Sequence, residues 1–171
     1  WLRRFVEEIL LMLTPKLITL NANEVQLAQQ LAKERHTKSR KAGIQNRKRG
    51  PQSEHVTELD GVGGEIAFAK ALNLYPDLKD YPGKHDMVIA GKTVDVKTTR
   101  YPFGHLEVST DKTPGEVDIY ALVVGEMPEY SVIGWMCGDA LMKKKHLYTH
   151  RSGSKVYRAA QSELKEFKVL S

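Results

Sequence analysis

Two short β-type runs sit almost back to back, about His85 to Ala90 and Thr93 to Thr99, with Gly91-Lys92 between them. So close a spacing leaves room only for a tight hairpin, which fixes an antiparallel pair in the middle of the chain. The second run reads Thr93-Val94-Asp95-Val96-Lys97-Thr98-Thr99. With a period of two, Val94 and Val96 face one way and Asp95 and Lys97 the other. A carboxylate and an ammonium thus stand side by side on a strand whose reverse face is built for burial. Asp is disfavoured inside a Val-flanked strand, and Lys97 beside it is a second anomaly. A surface ion pair is the alternative reading.

Two more carboxylates point the same way. Asp86 opens the apolar run Met87-Val88-Ile89-Ala90, where a turn residue is the alternative. Glu65 heads an expected helix, Glu65 to Leu72, and shares its apolar stripe with Val62, Phe68, Ala69 and Leu72. A carboxylate on a core-facing stripe is expensive unless compensated, and a divalent cation with an oxygen shell would compensate it. The other reading of Glu65 is a helix-start carboxylate favoured by the dipole. Gly61-Val62-Gly63-Gly64 lacks the Gly-Lys-Thr of a nucleotide loop and reads as a close-packed entry to that helix.

Around this centre the organisation is α+β, or mixed α/β. Asn21 followed by Glu24 is an N-cap signature, and Val25, Ala28, Leu31 and Ala32 give the helix that follows one apolar face. Gly43 and Gly50-Pro51 should end it, and Gln52 to Asp60 reads as a polar connection. Residues 1–50 form an expected helical arm and 51–171 an expected core, compact as one domain overall. Further strands are expected at about 105–109, 117–124 and 131–136, with a short strand and weak helix in the tail from Tyr157 to Leu170.

The chain carries 26 Lys and Arg against 21 Asp and Glu, an excess of +5, and its distribution matters more than its size. Arg35, Arg40, Lys41, Arg47 and Lys48 crowd one segment; Lys143, Lys144 and Lys145 form another. Basic segments around an acidic centre suit DNA held by its phosphates; solvated faces are the alternative. The single cysteine, Cys137, excludes an intrachain disulfide and a Cys-rich zinc site, and suits a reducing cytoplasm. Its apolar surroundings favour packing over reactivity. The stretch Trp1 to Leu13 is too short to span a membrane, so no membrane association is expected.

Glu65 in Gly-Glu-Ile-Ala-Phe-Ala-Lys-Ala-Leu, Asp86 at a strand start and Asp95-Val96-Lys97 one hairpin later resemble the PD-(D/E)XK nuclease superfamily. The resemblance runs from about Gly61 to Thr99, and more weakly through Val117 to Met136; His85 stands where that family's motif has Pro. It implies a restriction-endonuclease-like fold, a central mixed sheet flanked by helices in α-β-β-β-α-β order. It implies a metal-dependent deoxyribonuclease in which Asp86, Asp95 and the Val96 backbone carbonyl hold Mg²⁺, with Mn²⁺ able to substitute. Glu65 would be a further ligand, direct or through water. Lys97 would orient and deprotonate the attacking water and neutralise charge at phosphorus. The small size suits a phage or mobile element, and cutting both strands would suit a homodimer. A non-catalytic nucleic-acid-binding subunit that keeps the fold is the other expectation.

Overall fold

The computed structural model describes residues 17–43, 53–78 and 85–165. Strand β1 (Leu17–Thr19) leads into helix α1 (Ala22–Lys41). The cap forms as its residues dictate: Asn21 Oδ1 accepts from the N–H groups of Asn23 and Glu24 at 3.0 Å, and Glu24 accepts from Asn21 N–H at 2.7 Å. Lys38, Arg40 and Lys41 occupy the last turn, where the helix dipole favours cations.

Helix α2 (Glu54–Ala71) differs from expectation, for it starts at the Ser53 cap and runs straight through the glycine run. Glu65 therefore lies deep within the helix, and the helix-start reading of that residue falls. The glycines serve a close approach. A Cβ on Gly64 would sit 2.0 Å from Thr98 Oγ1, and one on Gly63 would sit 2.1 Å from the Tyr130 hydroxyl. Each helical glycine costs about 1 kcal/mol against alanine, a cost offset by packing the helix backbone directly on the sheet.

The hairpin forms from β2 (Met87–Ile89) and β3 (Lys92–Thr99). Its turn is Ala90-Gly91, one residue earlier than expected, with positive φ at both (46° and 77°) as a two-residue hairpin turn requires. After β4 (Leu106–Ser109) come β5 (Ile119–Glu126) and β6 (Glu129–Cys137). The main sheet has the order β1-β6-β5-β3-β2; β3 and β5 run parallel and every other pair antiparallel.

No long helix links these later strands among the described residues. A short helix α3 (Gly138–Leu141) leads to β7 (Leu147–Thr149) and β8 (Lys155–Ala159), which join β4 in a second antiparallel sheet ordered β4-β8-β7. The connection from β3 to β5 thus passes through a strand of the second sheet, because the alternating burial of Leu106 and Val108 suits a sheet face. Of the tail, residues up to Lys165 contribute β8 and a 3₁₀ turn (Gln161–Glu163); the remainder lies outside the described residues, as does Trp1 to Leu13.

The main sheet separates two buried clusters. Ala28, Leu31 and Ala32 of α1 and Ile66 and Phe68 of α2 pack with Val94, Val96, Ala121 and Val132 on one side. Leu106, Val108, Tyr120, Leu122 and Leu141 pack under the small sheet on the other. The segment expected as an arm thus supplies part of the core. Cys137 is half-buried against the first cluster. Among the described residues, no helix is long and apolar enough to cross a membrane.

Candidate active site

Val94 and Val96 anchor β3 in the helix-side core, so the pleat turns Asp95 and Lys97 to the opposite face, beside Tyr120 and Leu122 of β5. Asp95 is 4% exposed, and its two oxygens meet two amines: Lys97 Nζ at 2.5 Å from Oδ1 and Lys112 Nζ at 3.7 Å from Oδ2. A pair in which one partner is this deeply buried is not the exposed ion pair that the sequence also allowed.

Asp86 sits one residue before β2 begins. Its N–H donates to the Val94 carbonyl at 2.9 Å, and its Oδ2 accepts from the Val96 N–H at 2.7 Å. The carboxylate thereby closes a ladder position that β2 is too short to fill. N–H and C=O of one strand residue point to the same side, so the Val96 carbonyl also faces this edge.

Glu65 reaches the same neighbourhood from α2. Both its oxygens accept from Arg35 Nη1, at 2.9 and 2.8 Å, and the two side chains are 15% and 16% exposed. Arg35 follows Ala28, Leu31 and Ala32 by seven, four and three positions, so it shares the apolar stripe of α1.

Three carboxylates and the Lys97 ammonium feel one another's charge here. Asp86 is held well above the usual carboxylate range by burial, then by Glu65 and Asp95; Lys97 and the Val96 N–H only partly counter this. Glu65 is also raised, because burial outweighs the pull of Arg35 and Asp95 adds to it. For Lys97, burial works to lower the pKa, but Asp95, Asp86 and Glu65 prevail and raise it. The Arg35 guanidinium is raised in the same way, with Glu65 and then Asp86 and Asp77 overcoming burial.

Among the described residues, no three His, Cys, Asp or Glu side chains stand as a ready-made metal cage. Arg35 ties off Glu65 and Lys97 ties off Asp95. The donor chemistry still suits a hard cation: the available ligands are all oxygens, and the surroundings of Asp86 oppose its charged form, which a cation would favour.

The expected DNA-contacting residues divide. Arg35 is engaged by Glu65 and belongs to the site. Arg40 pairs with Glu54 at the start of α2, and Lys41 is exposed beside it. Lys143, Lys144 and Lys145 are exposed around a 3₁₀ turn on the small-sheet side. These two groups belong to elements on opposite faces of the main sheet. Arg47 and Lys48 lie outside the described residues.

Two residues join the site against their sequence reading. Arg35 had a legible signal in its place on the apolar stripe. Lys112 reads from the sequence as a residue that could border a groove but that strand-edge polarity explains adequately; it lies on a turn after β4, and nothing local marks its approach to Asp95. Asp118, which the sequence allows to be read in the same way, accepts from Lys92 Nζ and from the Thr93 N–H at 2.9 Å, which fastens the start of β3 to β5.

No curated protein and no solved structure matches the chain. Glu65, Asp86, Asp95, Lys97, Arg35 and Lys112 all fall between residues 14 and 130, whereas Lys143–Lys145, β7 and β8 fall beyond that span. Residues 14–130, more than half of the chain, match a family of unknown function (DUF5843), and the chain belongs to that family.

Proposed function

We propose that this chain is a metal-dependent nuclease of the PD-(D/E)XK type that hydrolyses phosphodiester bonds of DNA. The observation that carries this reading is the convergence of three carboxylates beside Lys97: Asp86, bonded to the Val96 N–H at 2.7 Å, is buried where Glu65 and Asp95 oppose its ionisation, which a bound cation would favour. Asp86, Asp95 and the Val96 carbonyl would hold Mg²⁺, or Mn²⁺ in its place, with Glu65 joining them directly or through water. Bound there, the ion would supply a water of lowered pKa and charge stabilisation at phosphorus.

The protein's own groups have separate tasks. Lys97, kept charged by three carboxylates, is suited to orient the attacking water and to offset charge on the phosphate; as an ammonium it is a poor base. Lys112 adds a second cation near Asp95. Arg35 fixes the Glu65 carboxylate with two hydrogen bonds from one nitrogen.

A non-catalytic DNA-binding role is the second reading. It is favoured by the two ion pairs, which satisfy Glu65 and Asp95 without any metal. Purified protein incubated with single-stranded, duplex and branched DNA in Mg²⁺, Mn²⁺ or EDTA separates the two. Metal-dependent cutting that vanishes in Asp95→Ala and Lys97→Ala while binding persists supports the nuclease. Binding with no cutting of any substrate in either metal overturns it.

A further inference from the structure

Beyond the end of β3 the chain makes a braced turn. The Gly104 N–H donates to the Tyr101 carbonyl at 2.8 Å, and the Gln161 side-chain amide donates to the carbonyls of Pro102 and Gly104, both at 2.9 Å. The rings of Tyr101 and Phe103 stand on this turn 54% and 89% exposed. An aromatic ring held almost wholly in water on a fixed turn gives up hydrophobic burial, and a turn anchored at three backbone positions loses little further freedom on binding.

The turn borders a cavity of about 550 Å³, within the range that takes a flat small molecule. Thr99 lines it, and Thr99 shares a strand face with Lys97, about 7 Å along the strand. Of the other side chains in the wall, Glu107, His150 and Arg158 are matched to one another, and His105 lines it with them. Glu107 accepts from Arg158 Nε at 2.7 Å and meets His150 Nε2 at 3.1 Å. The Arg158 guanidinium lies 3.7 Å over the Tyr148 ring. With its one carboxylate answered by an arginine and a histidine, this wall suits an uncharged heteroaromatic ring better than a phosphate.

We infer that the Tyr101–Phe103 turn and this cavity take an unpaired base of the nucleic-acid strand whose backbone passes Lys97. The inference deepens the nuclease reading and takes the scissile strand from it. It names the substrate class: single-stranded DNA, or a strand splayed from a duplex end or branch. A base pair locked in a duplex cannot enter the cavity. Stacking on the two rings is tolerant of base identity, since every base has a π face.

The test is fluorescence anisotropy of labelled single-stranded and blunt duplex oligonucleotides in EDTA, so that binding is read without cutting. Phe103→Ala should weaken single-strand binding about tenfold and the Tyr101→Ala/Phe103→Ala pair further, while Phe103→Trp retains it. Blunt duplex binding should change by less than threefold. Phe103 is on the surface, so the melting temperature should hold and serves as the check on folding. Unchanged single-strand affinity in the double variant overturns the inference, as does equal loss for the two oligonucleotides. A change in oligomeric mass of Phe103→Ala by light scattering also overturns it, and would assign the rings to self-association. If wild type binds single strands through Phe103 yet cuts nothing in Mg²⁺ or Mn²⁺, the stacking site stands and the nuclease reading falls.

Discussion

Arg35 on α1 and Glu65 on α2 are joined by two hydrogen bonds of 2.9 and 2.8 Å in a setting that leaves each about 15% exposed. The bond couples the first helix to the carboxylate that the second helix brings to the site. Removing the arginine leaves that carboxylate buried and unanswered. Arg35→Met should therefore cost about 3 kcal/mol in urea denaturation, and adding Glu65→Gln should recover much of the loss. A cost within about 0.5 kcal/mol of zero would show that the pair is solvated in solution.

Asp86 gives the metal-free protein an unusual pH dependence. Its folded pKa lies well above the unfolded value, so the native state binds the extra proton. Stability from this group is full at acid pH and falls as pH rises from about 4 towards the raised value. Glu65, also raised, contributes with the same sign. Denaturation in EDTA between pH 5 and 7 should show wild type losing stability relative to Asp86→Asn as pH increases. A gap between the two that is flat with pH would exclude the shift.

Under the proposed function, cation uptake must displace that proton. Mg²⁺ affinity measured by calorimetry should rise from pH 5 to 7, with proton release seen as a dependence of the heat on buffer. Asp86→Asn and Asp95→Ala should each abolish the binding signal; unaltered binding in both would remove Mg²⁺ from this edge.

Gly64→Ala sets two effects of opposite sign against each other. Alanine gains about 1 kcal/mol of helix propensity, but its Cβ would fall 2.0 Å from Thr98 Oγ1. Thr98 is half-buried and its strand is paired with β5 at Val123, so overpacking at about 1–3 kcal/mol should prevail and lower the melting temperature. Thr98→Ala in the same chain should restore it.

Lys143, Lys144 and Lys145 lie on the small-sheet side, the face to which Asp95 and Lys97 turn; Arg40 and Lys41 belong to the helical side. Replacing the three lysines with alanine should weaken DNA binding at every sequence and reduce the salt slope by about two to three. Replacing Arg40 and Lys41 should do much less. Equal effects would mean that the strand follows a different path.

The hairpin and its two-sided strand were legible because period-two patterning is local and Val94, Asp95, Val96 and Lys97 state it outright. The α1 cap was equally local. The start of α2 was not, since a glycine-rich run reads as a turn until Thr98 and Tyr130 of the sheet give the glycines a partner. Lys112 escaped for the same reason: its link to Asp95 depends on how β4 leaves the main sheet. The stripe of α1 did hold Arg35, but charge counting grouped it with its exposed neighbours. The second sheet was hidden in part by β7, whose three residues are all exposed and carry no alternation.

Strand β2 spans only Met87–Ile89 against the eight residues of β3. Had it continued backwards by one more pairing, main-chain amides would occupy the margin where Asp86 now reaches across to Val96. Truncation of an outer ribbon is thus what leaves a side chain, rather than main chain, at this margin, and inserting two residues ahead of Met87 would be the simplest way to displace it.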